Sequence, residues 1–160
     1  MRRTLCALLT CGLLLANPVV VSAADDAPWG SASVLDIDYA PQKVLYDLFS
    51  GDEKDITSIL DRVGYLYRLY GSDNMDSSIV VIIHGDAIPF FARREFKKYE
   101  AIMRRAQSLA MGTSIEFRMC RAAARLLKYE ARDIHGFVKM VPMADAEIMR
   151  LQHENYAYMQ

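Results

Sequence analysis

The chain has 160 residues, a formal net charge of −1, 52% hydrophobic residues and 24% charged residues. That size suits one domain with one sizeable core, and no apolar run after the N-terminal stretch is long enough to span a bilayer. The slightly acidic balance argues against a nucleic-acid binder, which needs a basic surface.

The first residues predict export. Arg2 and Arg3 precede an apolar run from Leu5 to Leu15, and Val21-Ser22-Ala23 supplies a small-residue exit. This is the layout of a secretory signal peptide, with cleavage expected after Ala23. Asn17 and Pro18 interrupt the run before the roughly 20 residues that a spanning helix needs. The expected mature protein is periplasmic, not stably inserted in a membrane, and more acidic by the loss of two arginines. Cys6 and Cys11 leave with the signal, so only Cys120 remains. An internal disulfide is then impossible. The leftover thiol is a buried bystander, an intermolecular partner or a reactive group.

Residues 24–42 read as an irregular lead-in with Pro28, Gly30 and Pro41. From Lys43 the pattern alternates. KVLYDLF (43–49) is a strand candidate. A helix is predicted from Glu53 to about Tyr70, because Ile56, Ile59, Leu60, Val63, Leu66 and Tyr67 recur at three and four. SSIVVIIHG (77–85) is a second strand, and its β-branched run Ile79–Ile83 predicts burial on both sheet faces. Pro89 opens or bends a helical region running to about Met111. SIEFRM (114–119) is a third strand ending at Cys120, and CRAAARLLKYEA (120–131) is a short helix. GFVKMV (136–141), a helix over 144–154 and YAYM (156–159) complete the pattern. The order predicts a three-layer α/β domain over 43–160: a five-stranded, mainly parallel sheet with helices on both faces.

Chemistry in such a sheet belongs at the carboxyl ends of the strands. Three groups are expected there: Ser50 with Asp52, His84 with Asp86, and Cys120. A sulfur at a strand-to-helix junction meets free backbone N–H groups, which favour the thiolate, and Arg118 and Arg121 flank it. Such a thiolate can accept sulfane sulfur as a persulfide and pass it on. Packing beside Met119 is the competing explanation of the same residue. His84 is a proton donor or acceptor that Asp86 would orient, unless Asp86 caps the next helix. His135 has a similar claim, with a turn role as its rival. Glu116 and Arg118 on a central strand need charge partners, and an interface ion pair explains them better than catalysis.

Other chemistries find little support. The stretch Arg93-Arg94-Glu95-Phe96-Lys97-Lys98 reads as a solvated helix face rather than an anion site, because acids interrupt it and no glycine-rich cradle accompanies it. Met140, Met143, Met149 and Met159 are scattered, as filler would be. His84, His135 and His153 offer no metal-ligand spacing, and no nucleotide fingerprint is present, so no cofactor is expected.

The segments KVLYDLFSGD, SSIVVIIHGDAIPFF, IEFRMC and GFVKMVPMADAEIMRLQHENYAYMQ resemble the DsrE/DsrF-like family, in its exported branch. The resemblance covers about Lys43 to Gln160, and the closing strand, Val-Pro, helix and Asn-Tyr-Ala-Tyr is its most specific part. It implies a homo-oligomer, trimer or hexamer, and sulfur transfer through a cysteine persulfide. Cys120 matches the family's cysteine, and His84-Gly85-Asp86 its H-G-D element. A donor or acceptor protein, or a small thiol, would be the partner. The alternative is an oligomeric module of the same fold that binds a small ligand without chemistry or serves a complex structurally.

Overall fold

The computed structural model describes residues 29–160. The signal-peptide expectation, with Cys6 and Cys11, lies outside the described residues. Residues 29–37 belong to a unit separate from Asp38–Gln160 and carry no helix or strand. The second unit holds five strands: β1 (Lys43–Leu48), β2 (Ser78–Ile83), β3 (Ile115–Cys120), β4 (Val138–Val141) and β5 (Ala157–Met159). They form one sheet in the order β4-β3-β2-β1-β5, and every neighbouring pair is parallel.

This order decides which face each helix covers. The chain steps β1, β2, β3, β4 in one direction, so right-handed crossovers place the intervening helices together. These are α1 (Glu53–Leu69), α2 (Glu100–Ala110) and α3 (Arg121–Leu126). The return from β4 to β5 runs the other way and carries α4 (Ala144–His153) to the opposite face. The cores agree. Tyr46, Leu48, Val81, Ile83, Phe117 and Met119 pack with Ile56 and Leu60 of α1 and Met103 of α2. Their strand neighbours Leu45, Val80, Ile82 and Cys120 pack with Ala144 and Leu151 of α4.

β2 lies at the sheet centre, and Ile79 to Ile83 are fully buried, as the unbroken β-branched run requires. α1 begins where Asp52 accepts the Lys54 N–H at 2.7 Å, with Glu53 and Asp55 in its positive first turn. Its apolar face is the one expected.

The helical region expected around Pro89 is present but broken into pieces, the last of which, α2, ends at Ala110. Short 3₁₀ turns over Gly85–Phe91 and Arg93–Glu95 precede α2. Ala87, Ile88, Phe90 and Phe91 are all buried, which no single helical stripe allows, and Pro89 lacks the N–H that would continue a helix. The turn is held by an antiparallel bridge, Ala92 to Ile134, and by the His135 N–H donating to Phe91 O at 3.1 Å.

Candidate functional site

Of the candidate residues, His84, Arg118 and Cys120 come together at the carboxyl edge of the sheet, on the face that α4 covers. Leu48 pairs with Ile83, and Ile83 with Met119. The next residue of each strand therefore follows in step, so His84 and Cys120 are neighbours across β2 and β3. Side chains alternate along a strand, which directs Asp47, His84, Arg118 and Cys120 to the same face as Leu45, Val80 and Ile82.

Cys120 ends β3 and caps α3. Its Sγ accepts the Ala123 N–H at 3.4 Å, and the residue is 5% exposed. The chain leaving β3 enters α3, whose Ala124 joins the first-face core, whereas the chain leaving β4 enters α4 on the other face. The sheet's topological switch point thus lies between β3 and β4, beside Cys120. The Ala122 N–H donates to Pro142 O at 3.2 Å across these two exits.

His84 is oriented by Asp47, a residue that no motif or spacing singled out. His84 Nε2 and Asp47 Oδ1 lie 2.7 Å apart, with side-chain exposures of 27% and 10%. Tyr158 on β5 donates to the other carboxylate oxygen at 2.6 Å, and Gln160 Nε2 donates to the Tyr158 hydroxyl at 2.9 Å. The imidazole therefore leans toward β1, where the Phe49 ring is also 5.9 Å away, and it makes no hydrogen bond with Cys120. Asp86 is exposed in the following turn and does not bond His84. That turn starts at Gly85, whose φ of +55° is left-handed, and an added Cβ would meet Phe49 O at 3.3 Å.

The hydrogen bond that His84 donates to Asp47 holds the His84 pKa above its ordinary 6.5, against the opposing effect of burial. Burial pushes the Asp47 carboxyl up, but hydrogen bonds to His84 and Tyr158 prevail and hold it below its ordinary 3.8. The His84 contribution to stability is complete below pH 6.5 and is lost as pH rises through the raised folded value. The Asp47 contribution is complete above pH 3.8 and is lost as pH falls through the lowered one. Asp47→Asn is expected to lower the His84 pKa, read from a histidine-ring NMR titration. An unchanged midpoint would show that the contact does not hold the proton.

Arg118 is 17% exposed and is bound to carboxylates on both sides. It reaches Glu116 Oε2 at 2.7 Å and Glu147 of α4 at 2.5 Å, while Lys139 holds the other Glu116 oxygen at 2.7 Å. The charge partners that Glu116 and Arg118 were expected to need are supplied within the chain, by each other and by Glu147 and Lys139. The two carboxylates thus oppose the positive potential that Arg118 was expected to lend Cys120. Ser50 is likewise engaged, donating to Asp55 at 2.6 Å, while Asp52 caps α1. His135 lies away from this group, stacked on Phe137 with ring centroids 5.9 Å apart, and its Nε2 is buried without a partner.

A cavity of about 210 Å³ opens at the end of β1, lined by Asp47, Phe49, Ser50, Asp55, Arg62 and Gln160 among others. Cys120 does not line it. No group of three or more potential metal ligands occurs among the described residues.

Fold and site together define a small all-parallel α/β protein with a buried thiol and a histidine–carboxylate pair on adjacent strand ends. No family model matches the chain, and no curated protein matches it. Its fold is similar to the solved structure of a protein of unknown function from Methanobacterium thermoautotrophicum. The TM-score is 0.61 at 20% sequence identity, over 74% of this chain and 97% of that one. That likeness is one of architecture.

Proposed function

We propose that the chain is a periplasmic sulfur-handling protein of DsrE/DsrF-like type that holds or relays sulfane sulfur as a persulfide on Cys120. The observation that carries this reading is the position of Sγ at the end of a parallel strand, accepting the Ala123 N–H beside the switch point. The same Ala123 N–H is placed to donate to the sulfur through an exchange at this position.

The exchange needs no external oxidant. The Cys120 thiolate attacks the outer sulfur of a donor persulfide or of thiosulfate, and the donor S–S bond breaks. The donor leaves with that electron pair, as a thiolate or as sulfite. An acceptor thiolate then attacks the terminal sulfur held on Cys120, breaking the new S–S bond and returning the Cys120 thiolate. His84, one strand away, exchanges the proton of the incoming or leaving thiol, with Asp47 retaining its other ring nitrogen. Treatment with polysulfide should add one sulfur, about 32 Da, to the intact mass of the protein. An unmodified mass under conditions that modify glutathione would sink the reading.

The cavity at Asp47 supports a second reading, a non-catalytic module whose small ligand sits at the end of β1 while Cys120 serves packing. In either case the protein is a homo-oligomer, trimer or hexamer. Light scattering at micromolar concentration should return a multiple of the chain mass, and a monomer mass would exclude it.

A further inference from the structure

The antiparallel bridge between Ala92 and Ile134 joins the β2–α2 connection to the α3–β4 connection. Arg93 and Arg94 come directly after its first residue, and Arg132 and Asp133 directly before its second. Because the two segments run in opposite directions, these flanking residues fall side by side. The four side chains accordingly line one cleft of about 330 Å³, although 39 positions separate Arg93 from Arg132.

The arginines here are held in a different way from others in the chain. Arg118 and Arg150 each bind two carboxylates, and Arg104 and Arg105 each bind one. Arg93 instead donates to the Arg132 carbonyl at 3.2 Å, and Arg94 donates to the Tyr129 hydroxyl at 2.8 Å with its guanidinium over that ring. Carbonyl and phenol groups position a guanidinium without neutralising it. Arg93 and Arg132 form no ion pair among the described residues, and Arg94 meets only Glu95, at 3.5 Å and open to solvent. The one carboxylate lining the cleft, Asp133, accepts the Glu130 N–H at 2.8 Å, and Glu130 faces Arg125 at 3.7 Å. Three arginines against Asp133 and the solvent-open Glu95 still leave a local positive excess in a chain whose formal charge is −1.

We infer that this cleft binds a doubly charged tetrahedral oxyanion, of phosphate or sulfur-oxyanion type. The guanidinium fork matches two oxygens of such a group, and three forks from two segments can enclose it. The inference does not rest on the chemistry of Cys120.

Calorimetric titration of the full protein with inorganic phosphate, sulfate and thiosulfate, as separate arms at constant ionic strength, tests it. Saturable binding is expected in at least one arm, and the arm that binds names the oxyanion class. Arg93→Gln with Arg132→Gln should weaken that binding by about tenfold or more, since two charge-assisted contacts are lost. Both side chains are exposed, so the circular dichroism of the variant should match the parent. Burial and the nearby charge of Arg93 together hold the His135 pKa below 6.5, so the His135 ring resonances should move with saturation. No saturable heat in any arm, or equal affinity in the variant, would overturn the inference.

Discussion

Cys120→Ser should abolish the mass gain of about 32 Da that polysulfide gives the parent, because the hydroxyl cannot form the new S–S bond. Serine is smaller but can accept the same Ala123 N–H, so the α3 cap should survive. The residue is 5% exposed, and replacing buried Sγ with a hydroxyl is expected to cost about 1–2 kcal/mol, which leaves a folded protein. A chemical denaturation curve separates the two effects: a small drop in midpoint together with complete loss of the adduct. His84→Ala should keep the adduct mass but slow its formation near neutral pH, since the sulfur acceptor remains and the proton partner is gone. An adduct that persisted in the serine variant would remove Cys120 from the chemistry.

Phe117→Ala should be among the most damaging single changes to the fold, at about 3–5 kcal/mol. The ring is fully buried at the middle of β3 and meets Phe91 and Phe137 with centroids 6.1 Å and 5.7 Å away. Phe91 comes from the 3₁₀ turn after β2 and Phe137 from the approach to β4, so the cavity would loosen three segments at once. The same turn carries the bridge at Ala92, and the arginine cleft should lose oxyanion affinity along with stability. Urea unfolding gives the magnitude, and a loss under about 1 kcal/mol would mean that the site collapses without a void.

The two faces of the sheet explain what was readable beforehand. Ile79–Ile83 announced a central strand because residues buried on both sides must be apolar at every position. β3 alternates Ile115, Phe117 and Met119 with Glu116 and Arg118, which shows one dry face and one polar face but not who meets the charges. Glu147 meets Arg118 from 29 positions away, a distance that local pattern does not encode. Asp86 stood two residues from His84 and was the natural partner on proximity. Gly85 turns the chain there, and the parallel register places Asp47 of β1 at the imidazole instead.

Local physics therefore determined the alternation of strand and helix, the central place of β2 and the arrival of Cys120 at a strand end. These follow from apolar period, β-branching and turn residues, all of which act over a few positions. Only the tertiary structure decided the Asp47–His84–Tyr158 chain, the pairing of Arg118 with Glu147 and the convergence of Arg93 and Arg94 with Arg132. Each joins segments separated by 29 or more positions, and parallel pairing and crossover direction, not sequence spacing, set their approach.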